Sequence, residues 1–175
     1  MTVRPAPPVI GVAGWKNSGK TTLVVRLVEE LTARGFKVAT IKHAHHDFRI
    51  DAEDTDSARH RRAGARQVAI VSGRRWALTS EIKDEPEPSL DEMIAKLDPC
   101  DVVIVEGYKR AAIPKIEARR TKAASHVPLA DTDPNVIAVA ADHAVGSEQP
   151  PHYALDDGAG LADLICARLE LKKPR

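Results

Sequence analysis

The chain has 175 residues, and 26 Lys and Arg against 25 Asp and Glu give it a formal net charge of +1. That balance argues against a nonspecific binder of nucleic acid, and no apolar run reaches the roughly 18 residues of a membrane span. Cys100 and Cys166 show neither metal-type spacing nor a disulfide pattern. We therefore expect one cytoplasmic domain over residues 1–175, with flexible tails at 1–8 and 172–175 and no nucleic-acid or membrane partner.

The first forty residues predict a strand, a helix and a second strand. Val9–Ala13 is a short apolar run, typical of a buried parallel strand. From Lys20 onward apolar residues recur at helical spacing, and Gly35 stands where a helix usually ends on glycine. Lys37–Ile41 is the second predicted strand. The separation of the two strands suits a right-handed parallel crossover.

The rest of the chain continues this alternation of strands and helices. The predicted elements are a helix over Thr55–Ala63, two strands over Gln67–Ser72 and Arg75–Ser80 that form a candidate hairpin, a helix from Ser89 to Leu97, strands over Asp101–Val105, Lys115–Ala118 and Asn135–Ala140, and a helix over Gly158–Leu171. Lys115 and Glu117 alternate with apolar residues, which favours the solvent-facing side of an edge strand. The pattern predicts a three-layer α/β domain with a mostly parallel sheet and a local β-hairpin.

A phosphate-binding motif lies between the first predicted strand and helix. The segment Gly14-Trp15-Lys16-Asn17-Ser18-Gly19-Lys20-Thr21 fits the Walker A pattern, and Thr22 follows it. Its glycines let the main chain curl around an anion, and the next helix directs its positive end toward the same place. Lys20 is expected to reach the β- and γ-phosphates, and Thr21 to bind Mg²⁺. The sequence therefore predicts a P-loop NTPase domain.

The apolar run 102–105 resembles a Walker B strand, in which an acid helps to bind Mg²⁺. Acidic residues stand at both of its ends, and either could be that acid. In an open parallel sheet, ligands lie at the carboxyl ends of strands. Asp101 begins the strand, about 17 Å from its other end. Glu106 is therefore the candidate that would hold a Mg²⁺-bound water or orient an attacking water. The alternative is that Glu106 only caps the turn at Gly107.

Other polar clusters allow two interpretations each. His43, His45 and His46, with Asp47 nearby, form either a transition-metal site or a polar loop near the γ-phosphate, and adjacent His45 and His46 point apart in an extended chain. Asp51 is a candidate switch-like Mg²⁺ ligand. The basic residues Arg59, Arg61, Arg62 and Arg66 form either an anion clamp or a solvated face. Lys109 and Arg110 follow Glu106 closely enough to lie near the phosphates.

Four segments occur in order and carry a family resemblance. They are the Walker motif through Thr22, Thr40-Ile41-Lys42-His43-Ala44-His45-His46-Asp47-Phe48, Val105-Glu106-Gly107-Tyr108-Lys109 and Pro114-Lys115-Ile116-Glu117. Together they resemble the molybdopterin-guanine dinucleotide biosynthesis protein B (MobB) family over about Val9 to Asp142. The Walker motif is shared by many families, whereas the histidine-rich and Glu-Gly-Tyr-Lys segments are more specific.

The resemblance implies a GTP-binding accessory protein that binds Mg²⁺, hydrolyses GTP weakly and is often dimeric. Such proteins assist a MobA-like nucleotidyltransferase that joins GMP to molybdopterin, and molybdopterin itself is a further candidate ligand. By position, Lys20 and Thr21 take the phosphate and Mg²⁺ roles, Glu106 takes the Walker B role, and Asp142 lies where base recognition is convenient. This chain departs from the pattern at Ala52–Asp56, where a Pro-Gly-Lys-Asp-like turn is expected. It also lacks an Asn-Lys-x-Asp motif, so guanine specificity rests on the resemblance.

Two other functions are compatible with the same motifs. A small-molecule kinase would use the same Walker A loop, with the basic cluster as a lid, but it needs an acceptor pocket and a base near the γ-phosphate. A nucleotide-gated adapter would need only binding that changes with the phosphate state.

Overall fold

The computed structural model describes residues 6–44, 50, 52–146 and 150–172. These residues form two compact units, which we call the core unit (Met1–His43 with Leu90–Arg175) and the hairpin unit (Ala44–Ser89). The organisation of residues 1–175 as one nucleotide-binding domain stays a prediction.

Strands and helices alternate along the chain much as the sequence predicts. In order they are β1 (Val9–Ala13), α1 (Lys20–Ala33), β2 (Val38–Lys42), α2 (Asp56–Arg62), β3 (Gln67–Val71), β4 (Trp76–Ser80), α3 (Leu90–Ala95), β5 (Val102–Glu106), β6 (Lys115–Arg119), β7 (Val136–Ala141), β8 (His152–Ala154) and α4 (Gly158–Arg168). Every predicted element is present with slightly different ends. Strand β8 was not predicted, because three residues are too few to show a periodic pattern.

The core unit is built on a six-stranded sheet in the order β2-β5-β1-β6-β7-β8. All of its neighbouring strands pair in parallel. The mostly parallel α/β sheet predicted from the sequence is therefore confirmed. Because the strands share one direction, the carboxyl ends of β1, β2, β5 and β6 meet at the same edge.

Two apolar clusters cover the two faces of this sheet. On one face, residues of α1 and α4 such as Leu27, Leu31 and Leu161 pack with Ile10 and Ile104 of the central strands. On the other face, α3 packs against residues of β2 and β5. The helix–sheet–helix arrangement gives the three layers expected for this class of fold.

The prediction of a solvent-facing edge strand at Lys115 and Glu117 is wrong. Strand β6 lies inside the sheet between β1 and β7, and both side chains are only 1% exposed. Lys115 forms a close ion pair with Asp133. The Glu117 carboxylate accepts hydrogen bonds from the backbone N–H groups of Leu129 and Ala130, each at 3.0 Å. Lys115 and Glu117 are thus buried although their alternation with apolar residues is typical of a solvent-exposed strand face. Their contacts hold the loop that follows β6.

The hairpin unit contains the predicted antiparallel pair. Strands β3 and β4 pair with Gln67 opposite Ser80 and Val71 opposite Trp76. Backbone hydrogen bonds close both ends of the hairpin: the Ser72 N–H donates to the Arg75 carbonyl at the turn, and the Glu81 N–H donates to the Arg66 carbonyl at the other end, each at 2.9 Å. Large apolar side chains are exposed along this two-stranded sheet: Ile70, Val71, Trp76 and Leu78.

The ion pair between buried Lys115 and the partly exposed Asp133 yields a test of the fold. Desolvation opposes ionisation of Asp133, but hydrogen bonds from Lys115 and Asn135 outweigh it, so the pKa of Asp133 is lowered. A depressed carboxyl pKa contributes stability at neutral pH that is lost as the pH falls below about 4. We expect Lys115→Met to lower the free energy of unfolding by about 2–4 kcal/mol at pH 7 and by less at acid pH.

Urea unfolding of both proteins at pH 7 and near pH 3 measures this difference. The matched control is Lys96→Met, which removes an exposed ammonium just beyond α3 and should change stability little. An equal loss at both pH values would show that the ion pair is not the cause.

Candidate functional site

The loop from Gly14 to Thr21 is tightly curled between β1 and α1. Gly14 and Gly19 adopt positive φ angles of 149° and 90°, and Asn17 also has a positive φ, of 65°. A Cβ atom at Gly14 would lie 2.4 Å from Ser18 Oγ and 2.5 Å from the Ala118 carbonyl oxygen. A larger residue cannot be placed there without moving the main chain. The sequence pattern therefore fixes the curvature of this loop through sterics.

The first main-chain N–H groups of α1 lie at the phosphate loop. Gly19 is the N-cap residue, and it makes no side-chain capping bond to the first turn. The first N–H groups of a helix need acceptors beyond the helix itself, and an anion can supply them. This helix start provides the positive end that the phosphate-site prediction requires.

Lys20 lies in the concave part of the loop. Its ammonium donates to the Trp15 carbonyl oxygen at 2.8 Å. Burial lowers the pKa of Lys20, the Glu106 carboxylate opposes that shift, and the ammonium groups of Lys109 and Lys42 add to the lowering. Several positive charges are thus crowded at this end of the sheet, and a polyanion would relieve their repulsion.

Thr21, Glu106 and Lys42 form a compact polar triangle. The Thr21 hydroxyl donates to Glu106 Oε1 at 2.9 Å. The Lys42 ammonium lies 3.1 Å from the same Oε1 and 3.4 Å from Thr21 Oγ1. The hydroxyl and the carboxylate are the hard oxygen ligands that Mg²⁺ prefers, and a positive group already lies against both. The residues present therefore fit a bound Mg²⁺.

The sheet explains why Glu106, and not Asp101, reaches this triangle. Glu106 is the last residue of β5 and is only 8% exposed. It pairs in register with Lys42 of β2 and with Val12 of β1. Asp101 precedes the other end of β5, where its carboxylate accepts from the Lys37 N–H at 2.7 Å. The geometry agrees with the choice of Glu106 made from strand direction.

A large cavity of about 1500 Å³ opens beside the phosphate loop. Its walls come from the loop, from α1, from β8 and from the segments that follow β6, β7 and β8. The polar side chains there include Asn17, Lys20, Thr21, Arg120, Thr121, Asp142, His143 and Tyr153. Arg120 lies across Gly19, since a Cβ at that glycine would be 3.0 Å from Arg120 Nε. Arg120, Thr121 and His143 were missed from the sequence, although all three follow predicted strands at their carboxyl ends.

Asp142 lies in the wall of this cavity, as its position in the family pattern suggests. Its Oδ1 accepts from the Thr121 N–H at 2.9 Å and the Thr121 hydroxyl at 3.1 Å, and it lies 2.9 Å from His143 Nδ1. The hydrogen bond with His143, followed by those from Thr121, lowers the pKa of Asp142 to about 2. The carboxylate is therefore ionised at neutral pH and held in one place.

Trp15 connects the phosphate loop to two neighbouring segments. Its indole N–H donates to the Val127 carbonyl oxygen at 2.7 Å, and the Lys109 ammonium lies 3.9 Å from its ring centroid. Beside it, the Lys16 carbonyl oxygen accepts from the Ala124 N–H at 2.9 Å. The loop conformation is thus coupled to residues 120–130.

The remaining candidates from the sequence have different outcomes. Asp51, His45, His46 and Asp47 lie outside the described residues. The His43 and Tyr108 rings are 4.7 Å apart. Over the described ranges, no three or more His, Cys, Asp or Glu side chains form a metal cluster.

The basic cluster of the hairpin unit pairs with carboxylates of its own unit. Arg59 lies 3.7 Å from Asp56, Arg61 lies 3.9 Å from Glu81, and Arg66 lies 2.6 Å from Glu85. Three of the four arginines thus lie near carboxylates, and the anion clamp stays a prediction.

The fold and the site together define an α/β P-loop protein of the nucleotide-binding class. A glycine loop follows the first strand, and an acid ends the strand beside it. Residues 9–142 match the family described as Molybdopterin guanine dinucleotide synthesis protein B, or MobB. The chain belongs to this family.

Relatives of this family are similar over most of the chain. The molybdopterin-guanine dinucleotide biosynthesis adapter protein of Haemophilus influenzae is 41% identical over 139 residues, covering 78% of this chain and 75% of that protein. The Escherichia coli protein of the same description is 38% identical over 160 residues, covering 90% and 91% of the two chains.

Solved structures of the family show the same fold. A crystal structure described as molybdopterin-guanine biosynthesis protein B (mobB) aligns with a TM-score of 0.71 at 25% identity, over 93% of this chain and 99% of that one. A MobB protein homolog from Bacillus stearothermophilus aligns with a TM-score of 0.67 at 26% identity, over 94% and 99%. None of the helices in the described part of our chain has the length and apolar character needed to cross a membrane.

Proposed function

We propose that this protein is a GTP- and Mg²⁺-binding adapter of molybdenum cofactor maturation. In this role it assists a MobA-like nucleotidyltransferase in attaching GMP to molybdopterin, in the cytoplasm. One observation carries the proposal: Lys20, Thr21 and Glu106 converge where the phosphate loop meets a cavity of about 1500 Å³, which leaves room for a whole nucleotide. The adapter names of the relatives support this function over a small-molecule kinase.

The phosphates are assigned to the loop and the start of α1. The curled main chain from Gly14 to Gly19 and the first helical N–H groups supply donors to a polyphosphate. Lys20 exchanges its bond to the Trp15 carbonyl for the β- and γ-phosphates. Thr21 and Glu106 hold Mg²⁺, which supplies charge neutralisation at the phosphates when bound.

Weak hydrolysis is consistent with the same contacts. Phosphoryl transfer at P-loop sites depends on positioning an attacking water and on neutralising the transition state. The Glu106 carboxylate already accepts from Thr21 and is also assigned to Mg²⁺, so its acceptor capacity for a water is partly used. We infer that bound GTP is hydrolysed slowly, which suits an adapter.

Removing the Lys20 ammonium tests the phosphate assignment. Because Lys20 supplies a charge and not core packing, Lys20→Ala should keep the fold while losing GTP binding by at least about a hundredfold. Calorimetric titration with GTP–Mg²⁺ measures the affinity, and thermal unfolding checks the fold. The control is Lys96→Met, which should bind like the wild type; undiminished binding by Lys20→Ala would reject the site.

Base recognition is assigned to Asp142. Guanine presents two adjacent donors, its N1–H and its 2-amino group, whereas adenine has no donor at the corresponding N1. An ionised carboxylate held by Thr121 and His143 suits that pair of donors. The position of Asp142 in the same cavity as Lys20 and Thr21 supports this assignment.

Asp142→Asn tests the preference for guanine. An amide keeps the shape but loses the charge and one acceptor, so we expect GTP affinity to fall about tenfold or more and ATP affinity to change little. Parallel titrations with GTP and ATP, each with Mg²⁺, measure the ratio. A fall of the same size for both nucleotides would assign Asp142 a structural role instead.

The hairpin unit is the proposed surface for a homodimer. Trp76 is 64% exposed and Val71 is 77% exposed, and Ile70 and Leu78 lie on the same two strands. An exposed apolar surface with open strand edges is suited to pairing with a second copy. Val71, Trp76 and Leu78 share one face of the two strands, and a symmetric pair through that face would bury them from both chains.

Trp76→Glu should convert the proposed dimer into a monomer, because a charge at the centre of an apolar interface is costly to desolvate. Light scattering after size exclusion, over a range of protein concentrations, gives the mass. Lys83→Glu, in the same unit but beyond the two strands, should remain dimeric. If the wild type has the mass of one chain at every concentration, the proposed dimer is wrong.

A further inference from the structure

We propose that the Lys42 ammonium neutralises the Glu106 carboxylate when no divalent cation is bound at the site. The inference rests on the proposed function. It explains how the same site can bind a polyphosphate in the absence of metal. Nothing in the Walker pattern requires a lysine at the end of β2.

The contacts of the ammonium carry the argument. Lys42 Nζ lies 3.1 Å from Glu106 Oε1 and 3.4 Å from Thr21 Oγ1, while these two oxygens are 2.9 Å apart. One cation thus touches both oxygens assigned to Mg²⁺. A bound metal and this ammonium cannot use the same side of that oxygen pair together.

The burial of the two partners explains why a counter-charge is needed. The Glu106 side chain is 10% exposed, whereas that of Lys42 is 60% exposed. A nearly buried carboxylate is unfavourable without a positive partner, and it would also repel an incoming polyphosphate. The ammonium is mostly hydrated and carried on a flexible stem, so it can leave without disturbing the core.

Lys20 and Lys109 also lie near the site, and the charge of Glu106 acts on Lys20, but both ammonium groups make their direct contacts with Trp15. Lys20 donates to the Trp15 carbonyl oxygen, and Lys109 lies over the Trp15 ring. The register of the sheet, with Lys42 directly beside Glu106 on adjacent parallel strands, holds the Lys42 stem within reach of the carboxylate. Lys42 is therefore positioned by β2 to neutralise Glu106, and it leaves the phosphate loop open for the anion.

A positioning role of this kind makes a distinctive prediction about metal dependence. Without metal, Lys42→Met leaves Glu106 uncompensated next to the phosphates, so we expect GTP to bind about tenfold more weakly than to the wild type. With saturating Mg²⁺ the metal supplies the charge, and the two proteins should agree within about twofold. A lysine that only supported the fold would shift both conditions equally.

The experiment is a calorimetric titration of GTP into the full-length protein, once in EDTA and once in excess Mg²⁺. Lys42→Arg keeps the charge and should restore the metal-free affinity, and Lys96→Met removes an equivalent exposed charge and should match the wild type in both conditions. The inference is overturned by an equal loss for Lys42→Met in both conditions, by no loss in either, or by a wild-type protein that binds GTP only with Mg²⁺. Absence of GTP binding by the wild type even with Mg²⁺ would instead refute the proposed function.

Discussion

The parallel pairing of β5 with β1 and β2 is the constraint on which the site depends. It brings the end of β5 beside the start of the phosphate loop, so that Glu106 meets Thr21. The same pairing places Lys42 against both groups. Main-chain hydrogen bonds along β5, which lies between β1 and β2, hold Glu106 more firmly than a loop could. The site is thus built where the ends of three neighbouring parallel strands meet the start of α1.

The loop that follows β6 is held both by β6 and by the phosphate loop. Glu117 holds one part of it through two backbone N–H groups, and Trp15 holds another through the Val127 carbonyl. The Lys20 ammonium donates to the main-chain carbonyl of the same tryptophan, so Trp15 contacts both the start of α1 and the loop that follows β6.

Much of the fold and of the phosphate loop follows from local patterns. The Walker segment is recognisable because its glycines satisfy backbone angles and clearances that other residues cannot, as the contact between Gly14 and Ala118 shows. Glu106 was distinguishable from Asp101 because strand direction alone decides which end of β5 faces the ligand. Strand β8 was not predicted because three residues are too few to show the alternation of apolar and polar residues that is typical of a strand. Lys115 and Glu117 were misjudged because alternation indicates an edge strand only if one side of the strand meets water.

The sequence by itself determined the class of fold, the phosphate loop and the choice of Glu106, since each depends on short-range sterics, periodicity or strand direction. The tertiary structure decided which charges are buried, that Lys42 lies against Thr21 and Glu106, and that Arg120, Thr121 and Asp142 share one cavity. Those facts depend on the order of strands in the sheet, which joins residues far apart in the chain. Strand order is set by the packing of the whole core, and no local stretch of sequence encodes it.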